Sequence, residues 1–191
     1  MTIIIGFIIF LHIAFDGIFT GPSYNKQDLI DNFEKKKNEI MEVKKFIDSK
    51  TPSETYISIE FENGELGIFH VKKNGNYESN WNLNIDSKKT DSLLTVINWK
   101  KTDLKNLKDK LDKANCISVS SGNPTTIGWQ RSGMGKFSYG IFNQNPTDSL
   151  INQYNDGCTY IYYKDNVILE YGGGAIGMQC FPEFYQNKDK E

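Results

Sequence analysis

Alternating apolar and polar residues predict antiparallel hairpins along much of the chain. The most regular stretch covers residues 125–142, whose two arms meet at a Gly-Met-Gly tip. A three-residue loop at this tip places Arg131 opposite Phe137, and Trp129 opposite Tyr139. This register builds a single apolar face, whereas a loop one residue longer or shorter would oppose each aromatic residue with serine or glycine. The opposite face of the hairpin then pairs Gln130 with Ser138 and Gly128 with Gly140, so that most of its side chains are small or absent.

The Asn63-Gly64 dipeptide predicts a second hairpin, over residues 55–73. A two-residue turn there pairs His70 with Ile57, so the histidine is expected on the apolar face. A third strand is predicted at residues 77–85, with its alternate asparagines facing water. The apolar residues of that strand are expected to face the core: Trp81, Leu83 and Ile85.

Helical periodicity predicts two main helices. The first covers residues 26–49, with Asn25 as its N-cap and Asp28 in its first turn. The second follows Thr102 as N-cap, and its leucines recur every three to four residues. With a last hairpin that turns at Asp165-Asn166, the pattern predicts one α+β domain. Its sheet is mostly antiparallel and built from hairpins, with the two main helices packed on one face.

An apolar segment, residues 2–15, precedes this domain. Its roughly 14 residues are typical of the hydrophobic part of a signal peptide, and extension to Phe19 gives about 18 residues, enough for a short anchor helix. A third alternative is that the segment belongs to the core. We expect residues 1–20 to be a signal or membrane-anchor segment, residues 21–185 a single α+β domain and residues 186–191 a polar tail. The expected location is the cell envelope, either membrane-anchored or exported, with the orientation left open.

Composition narrows the classes of partner. The chain has 191 residues with a net charge of -2, and Arg131 is its single arginine. A nucleic-acid interface needs a clustered basic surface, so we expect no nucleic-acid partner. The expected membrane contact runs through the N-terminal segment, and a protein is the expected partner of the domain.

Few residues are suited to catalysis. His70 is the only histidine outside the apolar segment, and nothing in the sequence brings a cysteine or a carboxylate to it. Gly172, Gly174 and Gly177 match the spacing of a dinucleotide-binding motif, but the sequence predicts no helix opening after them. We therefore expect no cofactor, no metal site and no catalytic residue.

The chain has three cysteines, Cys116, Cys158 and Cys180, and any two of them could form a disulfide. If the domain is exported, Cys158 and Cys180 are the expected pair, because their bond would tie the last hairpin to the final segment. Cys116 is then expected to be a small buried residue at the end of the second helix.

Trp129, Arg131, Phe137 and Tyr139 are the candidate binding residues. On one shared face near a hairpin tip they would form a cation–π and aromatic patch, a composition that is enriched at binding hot spots. The alternative is that Trp129 lies in the core and that Arg131 lies at the sheet edge.

Four short motifs carry a resemblance to a known type of protein. They are Asn32-Phe33 in the first helix, Asn98-Trp99 before the second, KFSYGIF at residues 136–142 and GGGAIGMQCF at residues 172–181. On these motifs the chain resembles small exported or membrane-anchored bacterial proteins of the lipoprotein type. It departs from that type because no cysteine follows the apolar segment for lipid attachment. The resemblance assigns no activity and no site residue.

The sequence therefore predicts a non-enzymatic binding protein, or an inhibitor of the immunity type that protects against a toxic partner. One alternative is a small hydrolase that uses His70 with a cysteine or a carboxylate. Another is a structural component of the envelope. An exposed aromatic patch at the hairpin would favour binding, and a pocket around His70 would favour the hydrolase.

Overall fold

A computed structural model describes residues 24–132, 135–172 and 177–184. The predicted segment at residues 1–20 and the predicted tail at 186–191 lie outside the described residues. No helix in the described part is long and apolar enough to cross a bilayer. The helices are α1 Lys26–Lys50, α2 Lys88–Val96, α3 Lys101–Ala114 and α4 Asp148–Gln153. The strands are β1 Thr55–Glu62, β2 Glu65–Lys73, β3 Asn76–Leu83, β4 Ser118–Ser120, β5 Thr125–Ser132, β6 Gly135–Ile141, β7 Tyr160–Lys164 and β8 Val167–Gly172.

The eight strands form one sheet in the order β3-β2-β1-β4-β5-β6-β8-β7. Every pair of neighbouring strands is antiparallel. The hairpins on either side meet where β1, the third strand from the β3 edge, pairs with β4. The predicted α+β class with an antiparallel sheet is therefore confirmed.

Helix α1 begins at the residue that its sequence predicts. Asn25 Oδ1 accepts hydrogen bonds from the amides of Gln27 and Asp28, and Asp28 Oδ2 accepts one from the Asn25 amide. These bonds occupy amides that the first turn leaves without helical partners. The buried stripe of the helix comprises Leu29, Phe33, Ile40, Val43 and Ile47. Helix α1 contacts α3 and strands β4, β5 and β6.

The hydrophobic core defines two faces of the sheet. The face that joins the core is called the inner face, and it contributes alternate strand residues such as Ile59, Ile127 and Tyr139. Buried residues of α1 and α3 belong to the same core. The opposite face is called the outer face. Side chains of successive residues alternate between the two, so a register shift by one residue exchanges them.

A β-bulge near the β1–β2 turn changes the predicted register of that hairpin. Gly67 is the extra residue, and beyond it His70 pairs with Ser58 instead of Ile57. The prediction that His70 lies on the apolar face is therefore wrong, because the bulge moves it to the outer face.

The third strand also departs from the predicted alternation. Trp81 pairs with Ile68 on the outer face and is 60% exposed, whereas Leu83 packs against the core. Asn82, between them, has a φ of +51°, which interrupts the regular strand geometry. The prediction that Trp81 faces the core is wrong for this reason.

A second bulge lies in the β5–β6 hairpin. Two residues rather than three join the strands, so Arg131 pairs with Lys136 and not with Phe137. Trp129 is the extra residue of the bulge, and its predicted pairing with Tyr139 is wrong as well. The bulge returns the aromatic residues to the inner face and leaves Arg131 and Lys136 on the outer face.

The last described segment is tied to the rest of the domain. Cys158 and Cys180, the pair expected for an exported domain, form a disulfide. In the segment that it holds, residues 177–184, Phe181 is buried in the core. The Glu183 carboxylate accepts a hydrogen bond of 2.6 Å from the first amide of α1.

Candidate functional site

A buried carboxylate lies at the centre of the outer face. The side chain of Glu60 is 4% exposed, and each of its oxygens is bonded to a cation. Arg131 Nε donates to Oε1 at 2.6 Å, and Lys136 Nζ donates to Oε2 at 2.9 Å. Lys136 Nζ also donates to Ser118 Oγ at 3.0 Å. These four residues are called the Glu60 cluster below.

The cluster spans four neighbouring strands because Gly128 has no side chain. Glu60, Ser118 and Gly128 lie in one row across β1, β4 and β5. Lys136 extends from β6 over Gly128 to reach the first two of these residues. A Cβ atom at position 128 would lie 2.1 Å from Ser118 Oγ and 2.9 Å from Lys136 Cδ. Glycine at this position is therefore a condition for the contact between Lys136 and Glu60.

Gly128→Ala is expected to lower the free energy of unfolding by about 2 kcal/mol, because the new methyl group displaces Ser118 and Lys136 from Glu60. Urea denaturation measures the change. The matched comparison is the same substitution in a Ser118→Ala background, where the closest contact is absent and the loss should be smaller. An equal loss in both backgrounds would show that the displaced contact is not the cause.

The cluster has a net positive charge at neutral pH. Burial raises the pKa of Glu60, but Lys136 and Arg131 lower it by more, so its pKa lies below the ordinary value. Glu170 on β8 behaves in the opposite way, because burial raises its pKa and Lys136 only partly offsets this. The two carboxylates are four strand spacings apart in one row, so their Cα atoms are separated by about 19 Å. This separation gives no support to a shared acid–base role.

A pocket of about 230 Å³ adjoins the cluster, and Tyr24, Glu60, Gln130 and Arg131 are among its lining residues. The Arg131 side chain is 36% exposed. One side of its guanidinium is therefore held by a buried carboxylate, while the rest is accessible to a ligand. This arrangement is suited to binding a polar group of a partner.

A larger pocket, of about 710 Å³, lies beside the β1–β2 turn. Its titratable residues are Glu62 and Glu65, which are exposed and take part in none of the described ion pairs. Of these two pockets, the smaller one is therefore the one lined by ion-paired side chains.

The structure separates the four predicted binding residues. Trp129 is 5% exposed, and Phe137 and Tyr139 are fully buried. The Tyr139 hydroxyl donates to the Leu29 carbonyl at 2.8 Å, within the core. The predicted aromatic patch is therefore not exposed, because the bulge at Trp129 turns these rings inward. Of the four residues, Arg131 alone reaches the outer surface.

The surroundings of His70 are hydroxyl groups and aromatic rings. Its Nδ1 atom lies 3.1 Å from the Tyr77 hydroxyl, and its Nε2 atom lies 2.9 Å from Ser79 Oγ. Burial lowers the pKa of the ring. In the described ranges neither a carboxylate nor a thiol is bonded to it. This geometry provides no general-base pair for the hydrolase alternative.

The cysteines do not supply a nucleophile for that alternative either. Cys158 and Cys180 are bonded to each other. Cys116 is 5% exposed and donates to the Ala114 carbonyl, and burial raises the pKa of its thiol. A thiol in such surroundings is held in its unreactive protonated form.

Three residues of the cluster were not predicted: Glu60, Ser118 and Lys136. Glu60 alternates with the buried residues Ile59 and Phe61, which is consistent with its place on the outer face but gives no sign that it is buried there. The sequence feature that could have indicated the cluster is the row of small residues on the face of the β5–β6 hairpin opposite the aromatic residues. A long side chain can lie flat across such a row.

Comparisons with known proteins assign no family. No family model, no curated protein and no solved structure matches the chain. Within the described residues, no group of three or more histidine, cysteine or acidic side chains is placed to hold a metal ion.

Proposed function

We propose that this chain is a non-enzymatic binding protein of the cell envelope, of the inhibitor or immunity type. Its partner is a protein that contacts the outer face around Arg131. The proposal takes both main helices, α1 and α3, to cover the inner face, which leaves the outer face for the partner. An exported or membrane-anchored location agrees with the disulfide, since disulfides persist in oxidising compartments.

The observation that carries the proposal is the fixed position of Arg131. Its bond of 2.6 Å to the buried Glu60 holds the guanidinium before any partner binds. An arginine that is already positioned loses little conformational freedom on binding, and arginine is enriched among residues that dominate binding energy. The adjoining pocket can receive a side chain of the partner.

Arg131→Ala is expected to weaken partner binding about tenfold, and His70→Gln is expected to leave binding unchanged. Because Arg131→Ala also leaves Glu60 with Lys136 as its single cationic partner, a thermal melt checks that the less stable variant is still folded. A photo-crosslinking amino acid at Gln130, in the pocket, reports the partner in intact cells. The same amino acid at Lys105, on the exposed side of α3, is the control position. We expect a discrete adduct from position 130 that Arg131→Ala reduces and His70→Gln does not.

Two outcomes would contradict this function. An adduct at position 130 whose yield is unaffected by Arg131→Ala would show that the partner lies at this pocket without depending on Arg131. Loss of biological activity in His70→Gln alone, with a normal thermal melt, would support the hydrolase.

A further inference from the structure

The two edges of the sheet differ in how their main-chain groups are bonded. At the β7 edge the amides of Tyr160 and Tyr162 donate to the side chains of Asp156 and Asn155, at 2.8 and 3.0 Å. Strand β7 also has an irregular register near Lys164. These features protect an edge from pairing with another strand.

The β3 edge is less protected in the described part of the chain, since its one irregular residue, Asn82, lies next to the end of the strand. Seven of its eight residues pair with β2, all except Asn82, and no hydrogen bond from any other described element reaches its main chain. The strand contains neither proline nor lysine, residues that commonly block pairing at a sheet edge. Strand β3 thus presents a free row of donors and acceptors to a further strand.

The side chains of β3 show which strand would fit. Tyr77 and Trp81 are 56% and 60% exposed, and they lie two residues on either side of Ser79 on the outer face. The His70 ring contacts both, with centroids at 5.8 and 5.0 Å. The two aromatic rings are therefore held in place on one side and open on the other.

We propose that β3 pairs antiparallel with β3 of a second copy of this chain, about a two-fold axis at Ser79. In this register Tyr77 lies opposite the partner's Trp81, and Trp81 opposite the partner's Tyr77. Aromatic pairs across neighbouring strands are stabilising. The pairing joins two eight-stranded sheets edge to edge, and each copy uses the same surface.

The charges of β3 are compatible with a second copy as the occupant. Glu78 is the one charged residue of β3, and it is paired with Lys89 of its own chain at 2.5 Å. The two-fold axis places Glu78 opposite the partner's Asn80, so no like charges face each other. This pairing goes beyond the proposed function. The residues that form it belong neither to the Glu60 cluster nor to the pocket beside Arg131.

Cysteine substitution tests the register in the full chain, kept in mild detergent. Position 79 faces itself across the axis, at a Cα separation of about 5 Å that a disulfide can bridge. Position 80 lies roughly 8 Å from its own copy, which is too far. Under mild oxidation, Ser79→Cys should give at least tenfold more covalent dimer than Asn80→Cys. A mixture of Glu78→Cys and Asn80→Cys chains should give a mixed dimer that neither forms alone.

Sedimentation of chains without added cysteines measures the strength of the pairing. Trp81→Ser should raise the dimer dissociation constant at least tenfold, whereas Tyr56→Ser, an exposed aromatic residue on β1, should change it less than twofold. Thermal melts of both variants show whether they fold. The proposal is overturned by monomers at high concentration, by equal crosslinking at positions 79 and 80, or by equal effects of Trp81→Ser and Tyr56→Ser.

Discussion

Lys136→Met is expected to lower the free energy of unfolding by about 3 kcal/mol at pH 7, because it leaves the buried Glu60 carboxylate with a single cationic partner. Methionine keeps the length and the apolar stem of the side chain, so the loss is electrostatic. Lys105→Met is the matched control, since Lys105 is exposed and forms only an i,i+4 pair with Asp109. The control should stay within about 0.5 kcal/mol in urea denaturation.

A double variant separates loss of charge from loss of packing. Combining Lys136→Met with Glu60→Gln removes the buried charge together with its partner, so much of the lost stability should return. If the double variant is as unstable as the sum of the single variants, the two side chains are not energetically coupled and the role given to Lys136 is wrong.

The Lys136→Met effect is expected to depend on pH. The pKa of Glu60 in the folded protein lies below its ordinary value of 4.5, so its ionised form stabilises the fold above that pH. This contribution is lost as the pH falls through the lowered pKa. Lys136 also lowers the pKa of Glu170, which acts in the same direction. The stability difference between the wild type and the variant should therefore be larger at pH 7 than in acid, and it should shrink as the pH falls through the lowered pKa of Glu60. A difference that is the same at pH 7 and at the most acidic pH at which both proteins still fold would contradict this origin.

The double substitution Cys158→Ser and Cys180→Ser is expected to lower the free energy of unfolding by about 3 kcal/mol. The two cysteines are 22 residues apart, and opening a loop of that size restores conformational entropy to the unfolded chain. The substitution also loosens the segment that carries Phe181 and Glu183. The first amide of α1 donates a hydrogen bond to the Glu183 carboxylate, so hydrogen exchange at this amide should become faster.

A reductant provides the control for this second prediction. Adding it to the wild type should lower the melting temperature to that of the double serine variant, which should itself be insensitive to reductant. The remaining Cys116 is buried and should not contribute. A wild-type melt that is unaffected by full reduction would mean that the disulfide does not contribute to stability.

Helix α1 shows what local sequence determines about this protein. The Asn25 cap, the acidic first turn and the apolar stripe act within a few residues of each other, so their outcome can be predicted without knowledge of the rest of the fold. The turn at Asn63-Gly64 is of the same kind. The antiparallel α+β class also follows from patterns along the chain, whereas the pairing of Cys158 with Cys180 was expected only on the condition that the domain is exported.

The strand registers were decided by tertiary structure. Each of the three predicted hairpins contains one extra residue near its turn: Gly67, Trp129 and Tyr163. A bulge has no strong signal in a single sequence, because whether it forms depends on which side chains the core can accept. The shift of one residue moved His70 to the outer face and kept Trp129 in the core.

The Glu60 cluster depends on the same kind of long-range information. Glu60 and Arg131 are 71 residues apart in sequence, and they meet only because β4 pairs with β1 on one side and with β5 on the other. Gly128 leaves the space that Lys136 crosses, yet its role cannot be seen without the neighbouring strands. The sequence by itself determined the local elements and the class of fold. The order of the strands and their bulges decided which charged side chains share the outer face, because those contacts join residues that local sequence does not relate.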